Sequence, residues 1–442
     1  MTKSKEEILK LIDENKVKYI RLWFTDILGQ LKGMSITRSE IEHVLEEGQG
    51  FDGSSVEGFV RIEESDLVAM PDLKTFRILP WSINDEKVAL VVCDVLNPDG
   101  TPFVGDPRYV LRKTLDKIAK KGWTFYCGPE IEYFYFAGKD NPTPLDQGGY
   151  FDYSTVSVGT KMRKTAASAL ETMGIPVECT HHEVAPSQHE IDLRYQEALV
   201  MADFVMFYRL TIKELAFREG YHATFMPKPM FGENGSGMHT HQSIFENSRN
   251  TFFDPKEEKY HLSKEAKHYI GGVFCHVKEI CLVLSQWVNS YKRLVPGYEA
   301  PAYISWGTRN RSALIRIPEY KPGKEKATRI ELRSPDPACN PYLAFALMLA
   351  AGLKGIEEKI EPPAPVEKDI FRMSDSERKK LNIDCLPGSL EEAIGEFEKS
   401  KLAKEVLGEH IFYSLIANKK EEWDNYRIHV SNYELEKYLP WL

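Results

Sequence analysis

Lys228-Pro229-Met230-Phe231-Gly232-Glu233-Asn234-Gly235-Ser236-Gly237-Met238-His239-Thr240-His241-Gln242-Ser243 is the stretch around which the rest of the chain is read. Its first half carries three glycines and an asparagine, residues that supply positive φ and let a ligand approach the backbone closely. Its second half alternates, so on a strand His239, His241 and Ser243 point to one face. A glycine-rich mouth feeding a row of imidazoles and a hydroxyl has the form of a nucleotide or metal pocket. From this stretch alone, a purely structural histidine pair reads equally well.

Working outward, Gly128-Pro129-Glu130-Ile131-Glu132-Tyr133-Phe134-Tyr135-Phe136 is rich in strand formers, and Glu130 and Glu132 share a parity. Two carboxylates side by side on a strand destabilise it unless a cation lies between them or both face water. The segment from Ile175 to Glu197 adds Glu178, His181, His182, Glu183, Gln188, His189 and Glu190. Hard carboxylates with an imidazole suit Mg²⁺ or Mn²⁺, and the Cys/His spacing of a zinc site is lacking. Downstream, Arg309, Arg311, Arg316, Lys324, Lys326 and Arg329 crowd into a chain of net charge −9. Such a local excess of forked cations beside metal-type carboxylates suits a nucleotide, although a solvated charged face has the same composition. In Arg329-Ile330-Glu331-Leu332-Arg333 the alternation aligns Glu331 with both arginines.

Length and composition set the frame. The 442 residues, 42% hydrophobic and 28% charged, suffice for about two or three domains with a sizeable core. The acidic balance and the lack of basic clusters interleaved with aromatics argue against a nucleic-acid partner. The N-terminus lacks the apolar core of a signal peptide. The most apolar stretch, Val273 to Val288, is interrupted by His276, Lys278 and Glu279, so no membrane span is expected. Seven unpatterned cysteines fit reduced thiols in a cytoplasm.

The pattern predicts a helix over 6–15, a strand over 17–25, a hairpin turn over 28–33 and a helix over 37–47. A glycine-rich loop over 48–58 carries Asp52 and Ser55, and short strands near 66–71, 77–79 and 88–94 close a small mixed unit. Asn97-Pro98-Asp99-Gly100 and Asp106-Pro107 mark a boundary, which places one domain at 1–105 and a second at 106–442. Helices are expected over 107–121, 156–173, 198–219, 268–289 and 340–358, with a helical tail over 389–442.

Taken in order, Phe51-Asp52-Gly53-Ser54-Ser55, Gly128 to Glu132, His181-His182-Glu183, Lys228 to Ser243, Asn289 to Pro301 and Arg329 to Arg333 resemble type I glutamine synthetase from near the N-terminus to the last helices. The resemblance implies an α+β fold: a small N-terminal β-grasp domain, then a catalytic domain with a curved antiparallel sheet (glutamine synthetase/guanido kinase-like) and surrounding helices. It implies a homododecamer of two hexameric rings, with the Asp52 loop reaching into the neighbouring subunit's site. The implied reaction is ATP-dependent ligation of ammonia to L-glutamate through γ-glutamyl phosphate.

Carried over position by position, the resemblance gives Glu132, Glu183 and Glu190 to a first divalent metal and Glu130, His239 and Glu331 to a second. Asn234, Gly235, Arg293, Glu299, Arg311 and Arg333 match glutamate-binding positions. Glu178, Tyr195, His241, Ser243, Arg316, Lys326 and Arg329 fall where the family holds ATP, with Arg311 beside the transferred phosphate. Asp52, Tyr150 and Glu299 match the ammonium pocket, and Asp52, Glu299 and Arg311 the catalytic positions.

Where some members carry an adenylylated tyrosine, this chain reads Lys368-Asp369-Ile370-Phe371-Arg372-Met373, so no adenylylation is expected. Glu57 to Ile62 resembles the subtype with glutamine feedback, in which Arg61 takes part. A PII-type regulatory protein or 2-oxoglutarate are further effectors in such enzymes. Two rival readings remain: a γ-glutamyl carboxylate–amine ligase taking a larger amine, and a non-catalytic member of the fold, which should have lost metal ligands.

Overall fold

The computed structural model describes residues 4–58, 66–83, 86–308, 310 and 312–442. Arg61, Arg309 and Arg311 lie outside the described residues. The N-terminal unit runs α1 (Lys5–Glu14), β1 (Val17–Thr25), β2 (Leu31–Thr37), α2 (Ile41–Glu47), β3 (Gln49–Asp52), β4 (Asp66–Pro71), β5 (Arg77–Ile83) and β6 (Glu86–Leu96). Its sheet has the order β2-β1-β6-β4-β3, with β5 also on β6. The β1–β6 pair is parallel. Ser4 and Glu7 form a capping box on α1, which satisfies orphan N–H groups at the helix start. Ile8 and Ile12 of α1 and Ile41 and Val44 of α2 pack on Ile20, Leu22, Val91 and Val95 of the sheet, so both helices cover one face. This is the β-grasp arrangement. The 37–47 helix predicted from sequence begins as a 3-10 turn at Arg38–Glu40, because Thr37 makes no side-chain cap.

The larger unit runs α3 (Pro107–Ala119), β7 (Trp123–Phe136), α4 (Val158–Thr172), β8 (Val177–His182), β9 (Gln188–Leu193), β10 (Gln196–Glu197), α5 (Ala198–Arg218), β11 (His222–Thr224), β12 (Met238–Glu246) and β13 (Arg249–Asn250). It continues with α6 (Lys264–Leu284), α7 (Ser290–Arg293), β14 (Tyr303–Gly307), β15 (Ala313–Arg316), β16 (Ile330–Leu332), α8 (Pro341–Glu358), α9 (Asp375–Lys380), β17 (Asp384–Cys385), α10 (Leu390–Phe397), α11 (Lys401–Arg427) and α12 (Asn432–Tyr438). The main sheet path is β17-β14-β15-β16-β12-β7-β9-β8, antiparallel except for β14–β15. The helix expected over 268–289 starts earlier, at the Ser263 cap, and ends at Leu284.

Helices cover the apolar face of this sheet. α8 is apolar nearly all round and almost wholly buried, as a core helix is. It lies close against α6 because glycines meet there: a Cβ on Gly355 would sit 2.1 Å from the His268 carbonyl, and one on Gly272 2.2 Å from that of Ala351. The two units are fastened by Arg108. Its guanidinium donates to both oxygens of Asp203 at 3.0 Å, to Asp72 at 2.7 Å and to Asp94. Among the described residues, no helix is long and apolar enough to cross a membrane.

Candidate active site

Strand register gathers the polar residues into rows. Across β12 and β7, His239 faces Glu130. Across β7 and β9, Glu132 faces Glu190 and Glu130 faces Asp192. His181 of β8 continues the Glu132–Glu190 row, while His241 and Arg316 flank Glu331 on β12 and β15. Directly paired residues share a face with Cβ atoms about 5 Å apart. One face of the sheet is thus paved with carboxylates and imidazoles.

Two clusters emerge. In one, donor atoms of Glu130, His239 and Glu331 lie within 4.8 Å of one another. His239 Nδ1 is 3.4 Å from Glu130 and 3.9 Å from Glu331. In the other, Glu183 and Glu190 come together with His181, which approaches Glu183 at 2.8 Å. Glu132 stands between them: its Oε1 is 3.9 Å from His239 Nε2. Its Oε2 accepts hydrogen bonds at 2.9 Å from Gln188 Nε2 and from the Gly237 N–H.

The electrostatics show what the clusters can hold. Burial and then Glu183 push the Glu132 carboxyl up to about 8, and burial and then Asp192 push Glu190 well up. Burial opposes ionisation of Glu130 as well, yet His241 and His239 hold it well below the usual range. Burial and Arg333 lower His239 to about 4, so near neutral pH its lone pair is available as a ligand. Crowded buried carboxylates with neutral imidazole fit hard divalent cations such as Mg²⁺ or Mn²⁺. The six positions that the resemblance assigns to two metals, Glu130, His239 and Glu331 with Glu132, Glu183 and Glu190, lie together here.

His241 plays a different part. Arg329 Nε donates to its Nδ1 at 3.1 Å, so Nε2 bears the hydrogen and donates to Glu130 at 2.7 Å. Glu331 accepts from Arg333 at 2.7 Å and also from Arg316. A cavity of about 250 Å³ opens beside this row, lined by Glu178, Tyr195, His241, Ser243, Lys326 and Arg329. All six are residues expected to hold ATP. A narrow cleft of about 30 Å³ on the other side is lined by Asn234, Gly235, Arg293, Glu299 and Arg333 together with the carboxylates. Glu299 holds a left-handed backbone (φ 55), uncommon for a residue with a side chain and typical of binding sites.

The 228–237 loop corrects one expectation. Of its three glycines only Gly232 has positive φ. Gly235 and Gly237 are needed for space: a Cβ would lie 2.3 Å from the Pro227 carbonyl and 2.6 Å from the Arg293 guanidinium, respectively. Asp52 ends β3 and its Oδ1 accepts from the Ser54 N–H at 2.8 Å; the Ser54 hydroxyl first, and then this N–H, lower its pKa. It does not line the cleft of its own chain. Tyr150 stands edge-on to His181 at 5.7 Å between ring centroids. Gln188, which holds Glu132 and the Gly235 carbonyl, carries a positioning role that sequence reading left unassigned. Cys179 and Asp192, which the sequence reading leaves unassigned, also line the cavity of about 250 Å³, and Asp192 shares the strand parity of Glu190. A wider cavity of about 740 Å³, lined by Leu31, Met206, Phe225 and Trp287 among others, contains none of the predicted site residues.

Comparison with known proteins agrees with this geometry. The glutamine synthetase β-grasp domain family matches residues 16–98, and the glutamine synthetase catalytic domain family matches 104–438. The chain is 52% identical to a glutamine synthetase of Thermotoga maritima, over 98% of this chain and 99% of the relative. It is 50% identical to one of Methanosarcina mazei, over 99% and 98%. Among solved structures, a GmaS/ADP complex superposes with a TM-score of 0.89 at 29% identity, covering 100% of both chains. With both domains matched in order and about half of the residues shared over nearly the whole chain, the protein belongs to the glutamine synthetase family.

Proposed function

We propose that this protein joins ammonia to L-glutamate at the expense of ATP, giving L-glutamine, ADP and phosphate. The observation that carries the reading is the cluster of Glu130, His239 and Glu331 joined through Glu132 to Glu183 and Glu190, with a cavity of about 250 Å³ and a cleft carrying Arg293 and Arg333 beside it. Glu130, His239, Glu331, Glu132, Glu183 and Glu190 would hold two divalent cations, Mg²⁺ or Mn²⁺, which would supply charge neutralisation for phosphoryl transfer.

The chain's own residues do the positioning. Arg329, Lys326, Tyr195, Ser243 and Glu178 hold the nucleotide, with His241 fixed between Arg329 and Glu130. Arg293, Arg333, Asn234 and the Gly235 backbone bind glutamate in the cleft. A carboxylate is a poor electrophile towards an amine, so its γ-oxygen first takes the γ-phosphate, with Arg316 and Arg311 balancing the charge. Ammonia near neutral pH is mostly ammonium. Glu299 and Tyr150, with Asp52 delivered by a neighbouring subunit, bind that cation, and Asp52 accepts its proton. The freed amine attacks the acyl phosphate and phosphate leaves.

The same reading gives a cytoplasmic homododecamer of two hexameric rings, built from domains at 1–105 and 106–442. Lacking a tyrosine over 368–373, it is controlled by glutamine feedback through Arg61 rather than by adenylylation, with a PII-type protein or 2-oxoglutarate as further effectors.

The test is phosphate release from ATP, Mg²⁺ and glutamate, with ammonium and then with a panel of larger amines. Release that needs ammonium and yields glutamine supports the proposal. Release only with a larger amine keeps the site and changes the substrate. No turnover with any amine overturns the enzymatic reading.

A further inference from the structure

The β8–β9 hairpin carries a second set of donors. Cys179 faces Asp192 across the ladder, and His181, two residues on, faces Glu190. Antiparallel pairing with alternation places all four on one face. Cys179 Sγ donates to Asp192 Oδ2 at 2.6 Å, and one donor atom each of Cys179, His181 and Asp192 lie within 4.8 Å of one another.

One atom of this set, the Nδ1 of His181, has no partner in the protein itself. His181 is only 8% exposed, and its Nδ1 is buried without a hydrogen-bond partner. Its other nitrogen, Nε2, is taken by Glu183. Asp192 Oδ1 is also buried without an N–H donor, and the Asp192 carboxyl hydrogen-bonds with that of Glu190. A buried nitrogen without a partner is a cost that a bound ligand removes.

We infer that Cys179, His181 and Asp192 form a site for a thiophilic divalent cation of the zinc type, which shares His181 with the Glu183–Glu190 cluster and sits at the edge of the cavity that Cys179 and Asp192 line. One thiolate, one imidazole and one carboxylate are ligands such ions accept in tetrahedral geometry, leaving a fourth position for water. Binding breaks the S–H bond and forms an S–metal bond, with the proton released to solvent. The exposed Cys179 is the point of entry. Because His181 also touches Glu183, the ion would lock the hairpin that carries Glu183 and Glu190.

The experiment titrates the full-length protein with Cd²⁺ in saturating Mg²⁺ and follows thiolate-to-metal charge-transfer absorption in the near ultraviolet. The expected result is a band saturating at about one equivalent per subunit, with Cys179→Ser abolishing the band and weakening Cd²⁺ binding at least about tenfold. Cys275→Ser and Cys385→Ser, at the other exposed cysteines, should keep it. No band in the parent protein, or a band that survives in Cys179→Ser, overturns the inference.

Discussion

His239 Nδ1 lies 3.4 Å from Glu130 Oε2 across a directly paired position of β12 and β7, and the same ring approaches Glu331 and Glu132 at 3.9 Å each. One imidazole therefore bridges both carboxylate clusters. Replacing it by alanine should lower divalent-cation affinity by about 10–100-fold or more and abolish ligation. Calorimetric titration with Mn²⁺ checks this, and unchanged affinity would remove His239 from the metal set.

Glu132 predicts how the cation-free protein responds to pH. Burial and then Glu183 push its carboxyl up to about 8, from an ordinary value of 4.5. Between these limits the folded protein holds a proton that the unfolded chain has lost, so stability falls as pH rises through the window. A bound cation keeps the carboxylate ionised and removes the penalty. The stabilisation by Mg²⁺ over EDTA should therefore grow between pH about 6 and about 8, by on the order of 1 kcal/mol or more. Thermal unfolding measures it, and a gap that stays constant contradicts it.

Arg108 is 3% exposed and bonded to aspartates of both units, Asp72 and Asp94 on one side and Asp203 on the other. Arg108→Ala leaves buried Asp203 with only the Tyr342 hydroxyl as a donor and should cost about 3–5 kcal/mol. Denaturant unfolding tests this. A loss below about 1 kcal/mol would show that the fastening lies elsewhere.

Asp52 does not line the cleft of its own chain, and the proposed mechanism has it accept the proton at a neighbour's site. Asp52→Ala should reduce ligation by about 10²–10⁴-fold. Mixed oligomers of Asp52→Ala with Glu132→Ala should regain part of the rate, since each supplies what the other lacks. Full activity in Asp52→Ala alone would refute the role.

Much of the site was legible because strand parity is a local property. Glu130 and Glu132 on β7, and His239 and His241 on β12, could be assigned to one face without knowing which strands pair. Register is set by long-range contacts, so the meeting of Glu132 with Glu190, or Arg316 with Glu331, came only with the fold. The resemblance supplied those groupings where periodicity could not. Glycine chemistry was misread for a similar reason: Gly235 and Gly237 answer to Pro227 and Arg293, neighbours that turn propensity cannot see. The Arg108 fastening was illegible because its partners lie just after β4, on β6 and on α5, far apart in sequence.

The central claim is that this site phosphorylates the glutamate side chain before the amine attacks. Glutamate labelled with ¹⁸O in its γ-carboxylate tests it most directly, with mass analysis of the phosphate released during glutamine formation. The account predicts one ¹⁸O atom transferred to phosphate for each glutamine made. Phosphate free of label, with glutamine still formed, would contradict it.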